Sequence, residues 1–324
     1  MDWQINMTMQ INNLAIIIPA YKPDFLNQAL ESIVHQTCKR FTLYIGNDAS
    51  PFNLEPIVNL YVDRLNIVYK TFSANMGGKD LVGQWNRCIE MTQDEEWLWL
   101  FSDDDIMSEN CVESFYSTIE RDQSVALLHI NIDIINEVGD VSHQCKPFSE
   151  NMHGVNIFSE KIKLKLSSTI VEYIFKRSLF ESRNGFERFD LAWGSDDATW
   201  IKFAGLDPIK TIPFAKVYWR LSTKNISASV TDSSIVTRKV LANVEYLHWA
   251  KMFFKQNRIQ DPTNSFEKLK WILQTVKQSP LRLIEKIRLN NIVSENAQFG
   301  FLTSLLGAMY LGLSELKFFF KNYK

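Results

Sequence analysis

Three consecutive carboxylates, Asp103, Asp104 and Asp105, close the apolar run Trp97-Leu98-Trp99-Leu100-Phe101. A stretch this dense in aromatic and aliphatic residues reads as a strand buried on both faces. Adjacent carboxylates repel one another, and burying them unpaired is costly. At the C-terminal edge of a parallel strand, where α/β proteins bind ligands, the cluster reads as a cradle for a divalent cation. Oxygen-only donors favour Mg²⁺ or Mn²⁺ over zinc, and such ions commonly bring phosphates with them. The structural alternative is an exposed acidic loop before a helix that starts near Ser108.

Three further groups of residues bear chemistry. Asp48 lies just beyond the apolar run Phe41–Ile45, where a carboxylate can accept the imide N–H of a uracil or bind a ribose. An Asx turn within Asn47-Asp48-Ala49-Ser50-Pro51 is the plainer alternative. Asn75-Met76-Gly77-Gly78-Lys79 sets glycines and a lysine at a loop-to-helix junction, where backbone N–H groups attract phosphate; GxxxxGK spacing is absent. Trp193-Gly194-Ser195-Asp196-Asp197 offers a second acidic pair at a helix start. Those residues can cap the helix, or one of them can act as general base towards a hydroxyl.

The elements that must position these groups are legible as an alternation. Leu14–Ile18, Phe41–Ile45, Leu65–Tyr69 and the run ending at Phe101 read as strands, with helices predicted after Asp24 and over residues 79–91. This spacing predicts a doubly wound, mostly parallel α/β sheet. Beyond it, Val125–Ile130 and Lys216–Leu221 read as strands, with a hairpin turn at Val138-Gly139-Asp140. The polar stretch 146–168 reads as loop, and residues 193–204 as helix. From Asp232 onward the pattern is helical, so we divide the chain into a catalytic domain, 1–230, and a helical C-terminal region, 231–324.

Composition narrows the class. The formal net charge of −2 argues against nucleic acid as a partner. The charge is uneven, however: from Lys251 onward there are twelve Lys/Arg against five Asp/Glu. Cys38, Cys88, Cys111 and Cys145 form no CxxC pair and read as reduced thiols, and the five histidines show no HxxxH spacing. Met1-Asp2-Trp3-Gln4 lacks a signal-peptide profile, so we expect a cytoplasmic chain.

Taken in order, Ile18-Pro19-Ala20-Tyr21, Asn47-Asp48, Asn75-Met76-Gly77, Phe101 to Ile106 and Gly194 to Asp197 resemble the family 2 glycosyltransferases over roughly the first 220 residues. The resemblance implies the A-type glycosyltransferase fold and a nucleotide-sugar substrate, most simply UDP-linked. It places Pro19, Ala20, Tyr21, Asp48, Asn75, Gly77 and Asn86 around the nucleotide sugar, with Asp103 and Asp104. It makes Asp103 to Asp105 the metal-binding DxD region for Mn²⁺ or Mg²⁺. Anchoring on Ile106 instead puts Ser102 and Asp104 in the two DxD places, and both registers stay open. Asp196 matches the proposed base, with Asp197 beside it, and the reaction implied is inverting transfer to a hydroxyl acceptor.

The chain departs from the family pattern at Trp85, where an arginine is common and Lys79 or Arg87 must substitute, and at Ser195. It also departs at Ser222, where relatives carry a histidine before an Asn-x-Ser, here Asn225-Ile226-Ser227. These departures keep a second reading open: a glycosyltransferase-like module that binds nucleotide or partner without turnover. Near the C-terminus, Leu281 to Leu289 with Arg282, Lys286 and Arg288 reads as a basic amphipathic helix. The uncharged run from Asn296 to Ser314 is too diluted by polar residues for a span. Docking on the inner leaflet of the cytoplasmic membrane, or packing as a helical subdomain, are the two readings. A glycan or lipid-linked acceptor of surface-polysaccharide or glycolipid synthesis follows from the first.

Overall fold

The structure is a computed structural model that describes residues 13–223 and 232–322. The segment Asn225-Ile226-Ser227 and the 230/231 boundary lie outside the described residues. β1 (Leu14–Ala20), α1 (Leu26–Val34), β2 (Phe41–Asn47), α2 (Glu55–Asn59), β3 (Ile67–Thr71), α3 (Leu81–Ile89) and β4 (Trp97–Leu100) alternate as the hydrophobic pattern requires. The four strands lie parallel in the order β3-β2-β1-β4. β1, β2 and β4 are buried on both faces because helices cover both. Successive β1 residues alternate between the two cores. Ile16 and Ile18 pack with Leu26, Leu30 and Ile33 of α1, while Ala15 and Ile17 pack with Val82, Trp85 and Cys88 of α3.

β5 (Ile106–Met107), α4 (Cys111–Arg121), β6 (Leu127–Ile135), β7 (Val141–Gln144), β8 (Asn151–His153), α5 (Gly154–Ile162), β9 (Tyr173–Lys176), α6 (Arg177–Ser182), a 3₁₀ turn (Asp190–Ala192), α7 (Ser195–Ala204) and β10 (Pro208–Arg220) complete the sheet region. β9 runs antiparallel between β4 and β6, β10 lies parallel to β6, and β5 pairs antiparallel on the far edge. The sheet is therefore mixed beyond β4. The stretch expected as loop, 146–168, instead carries β8 and α5. Ile157, Phe158 and Ile162 of α5 are buried in a core, with Val155 partly buried against it, among polar neighbours that dilute the pattern.

α8 (Ser233–Gln256), α9 (Ser265–Gln278), α10 (Leu283–Asn296) and α11 (Phe301–Asn322) follow. Asp232 caps α8, and Asn264 with Glu267 forms a capping box on α9. These helices share one core with the sheet region: Phe158 and Ile162 of α5 and Ala198 and Ile201 of α7 pack with Val240, Leu273, Val293 and Leu311. α8, α9 and the inner faces of α10 and α11 thus pack on the sheet region. Lys286, expected on a basic outer face, is buried, and its Nζ lies 2.5 Å from Glu315 Oε1 of α11. All four cysteines are free thiols.

Candidate active site

β1, β2 and β4 end at one edge of the sheet, so the residues that follow them meet. Asp48 N–H donates to Ala20 O at 2.9 Å. Both carboxylate oxygens of buried Asp48 are engaged. Oδ1 accepts from Met76 N at 2.7 Å and from Arg87, and Oδ2 accepts from Gly77 N at 2.7 Å and Asn75 Nδ2 at 2.9 Å. Asp48 therefore folds the 75–77 loop onto the strand edge. Arg87, whose guanidinium also lies over the Phe72 ring, is its counter-ion.

The three consecutive carboxylates diverge. Asp103 Oδ2 accepts from Tyr21 N at 2.8 Å and Lys22 N at 3.0 Å, which ties the end of β1 to that of β4. Asp105 turns the other way, and its Oδ1 accepts from Arg220 N at 2.6 Å. Arg220 is fully buried and donates to Asp104 O at 2.7 Å, Asn136 O and Glu137 O at 2.9 Å, and Gln28 Oε1 at 2.6 Å. Asp104 bonds the Ser102 hydroxyl. Burial and the Asp104 charge raise the Asp103 carboxyl to about 6, and the same causes push Asp105 well above the ordinary range.

Among the described residues, no three His, Cys, Asp or Glu side chains converge as a metal-ligand group. The shared three-carboxylate cradle expected from the sequence does not form, because backbone N–H groups hold Asp103 and Asp105 apart. The Ser102–Asp104 pair is what this edge leaves as an oxygen donor set.

Across from this edge, Gly194 adopts φ +85° to start α7, a backbone that favours glycine. Asp196 and Asp197 occupy its first turn. Lys161 of α5 binds both Asp197 oxygens and donates to Ser168 O at 3.1 Å. Asp196 receives Asp197 N–H at 2.9 Å and, among the described residues, pairs with no cation of its own. Burial and the Asp197 charge raise Asp196 to about 7, although Lys161 opposes the shift. Behind Lys161, fully buried Glu172 is pushed up to about 8 by burial. Its Oε2 accepts from Thr169 Oγ1 at 2.7 Å, and its Oε1 lies 3.6 Å from His129 Nε2.

One cavity of about 1290 Å³ joins the two halves. Pro19, Ala20, Tyr21, Asp48, Asn75, Gly77, Asp103, Asp104, Asp105, Asp196 and Asp197 all line it. Two expected residues do not. Lys79 is exposed outside the lining, because Asp48 draws in the loop through its backbone and leaves the lysine outward. Asn86 is also outside the lining, and its buried Oδ1 has no hydrogen-bond partner among the described residues. Lys161 and Trp271 were not singled out from sequence, and no local motif marks either.

A model of the family "Glycosyl transferase family 2" matches residues 15–182, just over half of the chain. The chain belongs to this family. Its matched region ends before α7, so Asp196 is placed by the structure rather than by the family match. Solved structures similar to this glycosyl transferase include S. aureus TarS 1–349 with UDP-GlcNAc, at 14% identity, covering 88% of this chain and 80% of that one with TM-score 0.60. S. aureus TarS 1–349 with UDP matches at 14% identity over 94% and 91% of the two chains, TM-score 0.54. At this identity the likeness is one of fold. A sequence search of curated proteins found no match.

Proposed function

We propose that this family 2 glycosyl transferase moves a sugar from a UDP-linked donor to a hydroxyl acceptor with inversion, with Asp196 as the base. The observation that carries the reading is the contrast within the acidic pair: Asp197 is ion-paired with Lys161, while Asp196 stands on the cavity wall with no cation partner among the described residues. Asp196 takes the acceptor proton as the hydroxyl oxygen bonds to the anomeric carbon. The bond from that carbon to the phosphate oxygen breaks with its electron pair, and one displacement inverts the centre. The backbone around Tyr21, Asp48 and the 75–77 loop binds the donor. Asp104 with Ser102 would hold Mn²⁺ or Mg²⁺, which when bound supplies positive charge for the leaving diphosphate. The UDP and UDP-GlcNAc bound in the TarS structures support a uridine donor.

α11 exposes Phe301, Leu302, Leu305, Met309, Leu313 and Leu316 along one stripe, beside exposed Arg282, Arg288 and Lys317. No helix among the described residues is long and apolar enough to cross a membrane. The stripe supports docking on an anionic leaflet, and with it a lipid-linked or glycan acceptor of surface-polysaccharide or glycolipid synthesis. The deciding experiment is a panel of nucleotide sugars assayed for Mn²⁺-dependent release of free nucleotide. Release from UDP-sugars is expected; release from none of the panel rejects the transferase reading, and full activity in EDTA rejects the metal.

A further inference from the structure

The cavity is larger than the roughly 300–1,000 Å³ that encloses one small ligand. Its far wall is built by the helical region: Asn243 of α8 and Trp271, Gln274 and Thr275 of α9, the last three sharing one helix face by their spacing. Asn243 is 3% exposed, lines the cavity, and its Oδ1 has no hydrogen-bond partner among the described residues. A buried amide oxygen left without a donor is rare, and here it belongs to a residue on the wall of a substrate cavity. Gln274 Nε2 donates to Lys270 O and Tyr310 OH, both at 2.9 Å. Its Oε1 accepts no hydrogen bond among the described residues. One buried amide oxygen without a donor and one open to solvent, beside a tryptophan and a threonine hydroxyl, suit a ligand rich in O–H donors with an apolar ring face. That is the chemistry of a sugar.

We infer that the α8–α9 wall is the acceptor subsite and that the acceptor group it holds is a sugar ring. Asn243 Oδ1 and Gln274 Oε1 receive its hydroxyls, and Trp271 covers its apolar face. The inference rests on the transferase reading above. α8 packs against α7 and the 190–192 turn, so the same helix that carries Asn243 supports the element that carries Asp196. The subsite therefore positions the hydroxyl against the base.

The test uses the full chain, the donor that the panel identifies, and p-nitrophenyl glycosides as acceptors. Wild type, Asn243→Ala, Gln274→Ala, Trp271→Ala and Trp271→Phe are compared by acceptor KM and donor KM. Asn243→Ala and Gln274→Ala should each raise the acceptor KM about tenfold, the size of one lost hydrogen bond to a buried acceptor, while the donor KM moves less than twofold. Trp271→Phe should retain most acceptor affinity where Trp271→Ala loses it. A misfolded variant would raise both KM values or lose donor release, so the split between them reports the subsite. Donor turnover with an unaltered acceptor KM in all variants overturns the subsite alone. Donor release by wild type with no glycoside accepted overturns the sugar-ring assignment. No donor release by wild type overturns the transferase reading, and the subsite falls with it.

Discussion

Asp196 and Asp197 share one helical turn but not one environment. Lys161 binds both Asp197 oxygens and opposes the rise that burial imposes on that carboxyl, whereas Asp196 is raised by burial and by its neighbour's charge together. A base must be ionised to work, so kcat/KM should fall as pH drops through about 7, the value to which Asp196 is raised. Asp196→Asn should lower kcat by about 10²–10⁴ and abolish that pH limb, with the donor KM nearly unchanged. Asp197→Asn should be milder. If Asp197→Asn is the inactive variant, the roles are reversed. Asp48 is a different case, since its four donors are all within the protein. Asp48→Ala releases the 75–77 loop and leaves Arg87 unpaired, so donor KM should rise more than kcat falls, with about 3 kcal/mol lost in chemical denaturation. Unaltered UDP affinity by calorimetry would remove Asp48 from the donor site.

At the scale of elements, α11 is fastened by a close approach to α9 and α10. A Cβ on Gly307 would lie 2.1 Å from Asn290 Oδ1 and 2.7 Å from Leu269 Cδ2. Gly307→Val should therefore cost about 1–3 kcal/mol by overpacking, read as a lowered melting temperature. An unchanged melting temperature would mean that α11 packs loosely. Such contacts also explain what the sequence could and could not show. β1, β2 and β4 were legible because burial on both faces leaves an unbroken apolar run. β9 and α5 were not: Glu172 and Lys176 flank the three apolar residues of β9, and polar residues interrupt the apolar face of α5. Asp48, Asp103 and Asp196 were legible because strand ends and helix starts fix them locally. Lys161 was not, because its partner lies on another helix and only the contact of α5 with α7 unites them. The divergence of Asp103, Asp104 and Asp105 depends on Tyr21, Lys22 and Arg220 backbone groups, which a local run cannot reveal.

At the scale of the molecule, the membrane docking proposed above rests on the charge asymmetry and the α11 stripe together. The full chain should sediment with vesicles containing anionic lipid and less so at high salt. Replacing Leu302 and Met309 by Glu should abolish sedimentation without altering turnover of a soluble glycoside. Sedimentation that survives both changes would assign the stripe to another role. The cavity wall, running from Pro19 after the first strand to Thr275 on α9, has a consequence for biosynthesis. A nascent chain can complete its sheet once β10 has left the ribosome, yet the compartment for two substrates stays open until α9 has emerged and docked. On the proposed function, competence therefore arrives late in translation, and a fragment released earlier would lack the wall assigned to the acceptor.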